Sequence, residues 1–156
     1  MSKITPCLWF NGRAEEAIDF YTGIFKNSKK LTIAYYGKGM HLPEGDVLVA
    51  TFELDGQEIM ILNGGPHQKL TPAFSLSVSC EDQAEVDYFW SKLVEGGQEV
   101  QCAWLTDKFG VSWQIVPTIL PDLLRDKSAA RRERVMKALL GMVKLDIKKL
   151  KEAYEG

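Results

Sequence analysis

Two stretches of this chain run through the same order of hydrophobic patterns, and that duplication constrains the fold more than any single motif. In the first, Ile4–Phe10 is a short apolar run, Ala14, Ala17, Ile18, Tyr21, Ile24 and Phe25 recur at helical spacing, and three strand-like runs follow at Leu31–Tyr36, Val47–Leu54 and Gln57–Leu62. Asn11 is read as the helix N-cap, with Glu15 and Glu16 suiting the positive end of the helix dipole. Asp55-Gly56 reads as a tight hairpin turn.

The second stretch repeats the order. Ala73–Ser79 is a strand, and Val86, Phe89, Trp90 and Leu93 mark a helix. Asp82 and Glu85 at its start have capping-box spacing, and Gly96-Gly97 ends it. Glu99–Leu105 and Val111–Val116 read as strands, joined through Asp107-Lys-Phe-Gly110. The pairs Phe20-Tyr21 and Phe89-Trp90 hold matching places about 69 residues apart. The pattern predicts an α+β fold of two βαβββ modules, about 1–66 and 73–120, within one domain of residues 1–120. In the second module the link between the second and third strands should be the shorter. From 121 to 156 the composition turns to helix, with Leu139, Leu140, Val143, Leu150 and Tyr154 among basic and acidic residues. This C-terminal helical extension should dock its apolar side on the body or on a second subunit.

Composition excludes several classes. A net charge of −2 without a long basic run argues against nucleic acid, and no apolar stretch is long enough to span a membrane. Cys7, Cys80 and Cys102 form no CxxC, which points to reduced thiols and a cytoplasmic location rather than a disulfide framework or a zinc site. The N-terminal Met-Ser-Lys-Ile-Thr-Pro carries no signal-peptide core.

Alternation in Val111–Val116 places Ser112 and Gln114 on one face and Trp113 and Ile115 on the other. The Gln114 face either lines a cavity or, on an edge strand, meets water. Gly110 before it should need a positive φ. His41 and His67 lie in Gly- and Pro-bearing loops, as solvated residues or, if a loop folds over a cavity, as a base. Cys7 reads as a buried small hydrophobe, with pairing to a histidine the alternative.

Pro6-Cys-Leu-Trp-Phe10, Ala14-Glu-Glu-Ala-Ile-Asp-Phe-Tyr21, Phe52-Glu-Leu-Asp-Gly-Gln-Glu-Ile-Met60, Asn63-Gly-Gly-Pro66, Asp107-Lys-Phe-Gly-Val-Ser-Trp-Gln114 and Lys144-Leu-Asp-Ile147 carry a family resemblance. Together they span nearly the whole chain. The sequence resembles the vicinal oxygen chelate (glyoxalase/bleomycin-resistance/dioxygenase) superfamily, and more narrowly its PhnB-like branch, which bears the label 3-demethylubiquinone-9 3-methyltransferase.

The resemblance implies a homodimer, and a pocket enclosed by two concave sheets within a chain or across that dimer. Metal-binding members of the superfamily supply His, Glu or Gln from four strands. The matching positions here are Thr5, Met60, Ala73 and Gln114, of which only Gln114 could coordinate, so no metal and no cofactor is expected. The methyltransferase label does not describe chemistry the sequence supports. Gly64-Gly65 is followed by Pro66 rather than by a helix, and Gly96-Gly97 closes a helix rather than opening one.

Trp9, Asn63, Ser75, Ser77, Trp104, Ser112 and Gln114 are the expected pocket residues, in a largely apolar cavity for a small organic molecule. Phe10, Phe74, Leu76, Trp113 and Ile115 should face the helices. Two functions fit. One is a binding protein without metal. The other is a metal-independent enzyme on a small aromatic or carbonyl compound, with Gln114 orienting a substrate oxygen. An interaction protein with a filled pocket is a third.

Overall fold

The computed structural model describes residues 2–156. The chain forms two compact units, one ending at Leu70 and the other spanning Thr71–Gly156.

The first unit runs β1 (Cys7–Phe10), α1 (Ala14–Ile24), β2 (Ser28–Tyr35), β3 (Val47–Leu54) and β4 (Gln57–Asn63). Its sheet has the order β1-β4-β3-β2, with β1 parallel to β4 and the other pairs antiparallel. The β3–β4 hairpin turns through Asp55 and Gly56, both at positive φ, as a twist-matched two-residue turn requires. One sheet face packs on α1. Leu8, Phe10, Ala50, Phe52, Ile59 and Ile61 are buried with Ala17, Ile18 and Tyr21, and the Tyr21 ring stacks on Phe52 at 6.1 Å.

Asn11 does not cap α1. The N-cap is Arg13, at φ 60 with no side-chain cap bond, and Gly12 before it is also at positive φ. Asn11 therefore stands two residues upstream of the helix end. The Gly12 N–H is instead met by Asn63 Oδ1 at 2.8 Å, from the end of β4.

The second unit runs β5 (Ser75–Cys80), α2 (Gln83–Leu93), β6 (Gln98–Glu99), β7 (Trp104–Thr106), β8 (Ser112–Pro117), α3 (Ile119–Leu124), α4 (Ala129–Leu140) and α5 (Ile147–Glu155). The sheet order β5-β8-β7-β6 copies the first, again with one parallel pair, β5 with β8. Asp82 caps α2 by accepting from the Glu85 N–H at 2.8 Å, and the Glu85 carboxylate accepts from the Glu81 N–H. That is the predicted box, shifted back by one residue on its return bond.

The strand expected over Glu99–Leu105 is broken. Cys102 and Ala103 take left-handed φ values of 59 and 77, and their N–H groups donate to Met142 and Val143 carbonyls, both at 2.9 Å. Long-range acceptors thus replace ladder partners, and the break yields the separate β6 and β7. The β6–β7 link thus falls inside the expected strand, and it is shorter than the β2–β3 link.

The C-terminal helices bury their apolar side within the second unit, where Val135, Leu139, Leu145 and Leu150 join Ala103, Leu120 and Leu123 in one cluster. Phe74 departs from expectation. It is half exposed because it lies in the turn before β5, outside the alternating strand, whereas Phe10, Trp113 and Ile115 are buried. Leu76 is half-buried and pairs with Trp113, on the α2 side.

Gly110 sits at φ 90, and a Cβ built there meets nothing within 4 Å. Gly110→Val should therefore cost about 1–3 kcal/mol from backbone strain alone. Urea denaturation measures it, and a loss below about 0.5 kcal/mol would show that the turn can change type without penalty.

Candidate functional site

Strand pairing in the second unit brings chemistry together that the chain keeps apart. Directly paired residues share a face. Ser75 pairs with Ser112 and Ser112 with Thr106, which in turn pairs with Gln98. The next row is Ser77, Gln114 and Trp104, and the third is Ser79 with Val116. The intervening residues Leu105, Trp113 and Ile115 are buried on the α2 side. The sheet thus turns a face of hydroxyls, two amides, one indole and one valine away from α2.

Gln114 lies at its centre, half-buried, and its Nε2 donates to Ser75 Oγ at 3.0 Å. Its Oε1 has no protein partner among the described residues. Ser112 is only 3% exposed, and its hydroxyl makes no protein hydrogen bond among the described residues. The face carries no formal charge. The carboxylate within β6, Glu99, points to the other side and accepts from Trp90 Nε1 at 2.9 Å. Five predicted site residues (Ser75, Ser77, Trp104, Ser112 and Gln114) stand together here. Gln98, Thr106 and Ser79 belong with them; reading 99–105 as one continuous strand left Gln98 and Thr106 outside any ladder.

The face is more polar than the expected largely apolar wall, because the three serines of β5 all have the parity that turns them away from the helix.

β8 is held rigid from behind. Asp107, 3% exposed, accepts from the Phe109 and Val111 N–H groups through Oδ1 and from Trp113 Nε1 through Oδ2, at 2.8, 3.0 and 2.9 Å. A residue read only as a turn former is thus the buried anchor of the strand that carries Gln114.

The two predicted site residues of the first unit separate. Trp9 lies on the sheet face away from α1, and its indole N–H donates to the Gly65 carbonyl at 2.8 Å. Its ring fills the place where a Gly64 Cβ would stand, at 2.3 Å. Asn63 turns the opposite way, with Ile59 and Ile61. Its amide is spent on Gly12 N–H and the Val47 carbonyl, and its own carbonyl accepts from Tyr36 Oη at 2.6 Å. Asn63 also borders a hollow of about 230 Å³ at the start of α1, with Arg13, Asp46 and Val47. With both ends of its amide engaged, Asn63 clamps the end of β4 to the turn before α1 and to Val47.

Cys7 is exposed, against the expectation of burial, because it shares the parity of Trp9. Partial burial pushes its thiol above the ordinary range, and a bond with the Leu62 backbone opposes this. Among the described residues no hydrogen bond joins it to a histidine: His41 stands edge-on to Tyr36, with ring centroids 5.1 Å apart, and His67 is exposed in its loop. Cys80 does fit the buried reading, and burial pushes its thiol up to about 12.

The donor set does not fit a metal ion. Met60 on β4 and Ala73 in the exposed turn before β5 offer no hard donor, and Thr5 and Gln114 are neutral. Among the described residues no three His, Cys, Asp or Glu side chains converge. Among those residues no helix is long and apolar enough to cross a membrane.

Two copies of one βαβββ topology, each leaving a sheet face uncovered by its own helix, place the protein in the vicinal oxygen chelate class. The family profile described as 3-demethylubiquinone-9 3-methyltransferase matches residues 2–116. The chain belongs to that family. A PhnB protein from Bacillus cereus is 39% identical, the match covering 75% of this chain and 100% of that one with a TM-score of 0.69. Protein PA1353 from Pseudomonas aeruginosa is 21% identical over 75% of this chain and 98% of its own, at TM-score 0.63. The fosfomycin resistance protein FosX from Listeria monocytogenes is 16% identical over 80% and 98%, at TM-score 0.59; the last two likenesses concern the fold alone. No curated protein matches the chain.

Proposed function

We propose that the protein binds a small organic molecule on the Gln114 face of the second sheet, without a metal ion. The observation that supports this best is the convergence of Ser75, Ser77, Trp104, Ser112 and Gln114 on one face, with the Ser112 hydroxyl and Gln114 Oε1 left without protein partners among the described residues. Unpaired polar groups in a half-buried setting cost stability unless water or a ligand meets them. No acid or base stands in these rows to activate their hydroxyls as nucleophiles, so binding is favoured over catalysis. The family name implies methyl transfer. Both sheets are four-stranded and mixed, however, without the doubly wound parallel sheet and glycine-rich strand-to-helix turn that commonly cradles a nucleotide cofactor. The protein is further proposed to act in the cytoplasm as a homodimer, on its reduced cysteines and on the superfamily likeness.

A thermal-shift screen against small organic molecules, paired with elemental analysis of untagged protein, tests the reading. We expect at least one compound to raise Tm in the native protein and to lose its effect in Gln114→Leu, with metal well below one equivalent. Gln114→Leu itself should cost only about 1 kcal/mol, the worth of its bond to Ser75. One equivalent of a divalent metal that disappears in Gln114→Leu would overturn the metal-free reading. Full retention of the thermal shift in that variant would move the site elsewhere.

A further inference from the structure

On the reading that the Gln114 face holds the ligand, we propose that this ligand is an uncharged, flat heterocycle bearing a lactam-type edge, an N–H beside a carbonyl. Charge comes first. Gln98, Thr106, Ser112 and Ser75 fill one row and Trp104, Gln114 and Ser77 the next; beyond them Ser79 stands beside Val116, which packs against the C-terminal helical cluster. None is ionisable. An ionised ligand drawn out of water against this face would meet no countercharge, and desolvating an unpaired ion is costly. Glu99, the carboxylate within β6, is turned to the other side and held by Trp90.

The hydrogen-bonding pattern narrows the class. Gln114 spends one N–H on Ser75 Oγ and keeps a second N–H and the whole of Oε1. With the N–H anti to Oε1 given to Ser75, the remaining N–H lies beside Oε1, and a carboxamide so disposed pairs with its own complement through two parallel bonds, as glutamine does with the edge of adenine; that choice of hydrogen is part of the proposal. A lactam presents that complement. The Ser112 hydroxyl, 3% exposed and without a protein partner, supplies one further bond next to it.

Shape agrees. Trp104 is the direct partner of Gln114 on β7, and Ser77 its partner on β5. Three adjacent strands put about 10 Å between the indole and the serine, which matches a fused two-ring system lying across the row. The indole offers a flat apolar surface for one ring face, and offset stacking on it adds about 0.5–1.5 kcal/mol beyond burial.

Four probes on the full-length protein test the class: quinolin-2(1H)-one, its N-methyl derivative, quinoline-2-carboxylate and naphthalene. Binding is read from the Gln114 side-chain amide and Trp104 indole NMR signals, each assigned by its loss in Gln114→Leu or Trp104→Phe. We expect the lactam to shift both signals in native protein. N-methylation, which removes the donor without touching the protein, should weaken binding roughly fivefold, the equivalent of one hydrogen bond. Gln114→Leu should weaken the parent lactam by at least as much.

If the carboxylate binds as tightly as the lactam and shifts the same two signals, the ligand face stands and its neutral class falls. If naphthalene equals the lactam, the edge-pairing argument falls. If no probe moves either signal, the ligand face falls and the class with it. Signals shielded in a concentration-dependent way, by a second copy of the chain covering the face, would overturn both.

Discussion

Trp113→Ala is expected to cost the fold about 4–5 kcal/mol, the upper range for emptying a large core site. The indole is 2% exposed on the α2 side of β8, so truncation leaves a cavity that the paired strands on either side cannot close. A second loss adds to the first. Trp113 Nε1 is the donor to Asp107 Oδ2, whose other oxygen already serves two backbone N–H groups. Removing the indole deletes a hydrogen bond to a buried carboxylate, which carries its own penalty. Trp113→Phe separates the contributions, since it keeps most of the volume and deletes only the donor. It should cost about 1–3 kcal/mol. Chemical denaturation of both variants with unchanged m-values checks this. Equal losses would mean that the hydrogen bond, not the volume, dominates; losses below about 1 kcal/mol in both would refute the buried placement of Trp113.

The alternation that predicted this burial also predicted which residues share the Gln114 face, because both depend on one parity. Ser112 and Gln114 sit opposite Trp113 and Ile115 whatever the rest of the fold does. The same rule was available for Asn63 and Cys7. Asn63 has the parity of Ile59 and Ile61, and Cys7 that of Trp9, so their true faces were legible. Residue chemistry misleads at Cys7, where a thiol suggests the core. Other features were not legible. The break at Cys102–Ala103 exists because carbonyls of Met142 and Val143, some forty residues later, take the two N–H groups. No local propensity announces such acceptors, and two consecutive non-glycine residues at positive φ run against local preference. Asp107 was visible as a turn former. Its burial was not, since that depends on Trp113 reaching back across the turn.

The other large loss is expected at Gly97, which needs its missing side chain for space rather than for rotation. A Cβ built there stands 2.1 Å from the Thr106 carbonyl oxygen and 2.8 Å from two backbone atoms of Asp107. All three are main-chain atoms, so no rotamer change can make room, and the α2–β6 link must move away from β7. Gly97 N–H is held by the Val94 carbonyl at 2.8 Å, and the next residue, Gln98, pairs with Thr106, so the movement would break either the helix end or the ladder. Gly97→Ala should cost about 3 kcal/mol or slightly more, the top of the overpacking range. Two neighbours serve as controls. Gly96→Ala meets Lys108 Cβ at 3.2 Å rather than main-chain atoms, at φ 73, and should cost about 1 kcal/mol. Gly23→Ala, inside α1 with nothing within 4 Å, should instead stabilise by about 0.5–1 kcal/mol. Denaturation midpoints rank the three, and the Gln98–Thr106 row of the ligand face should lose amide-exchange protection only in Gly97→Ala. A Gly97→Ala protein as stable as Gly96→Ala would show that β7 does not approach the α2–β6 link this closely.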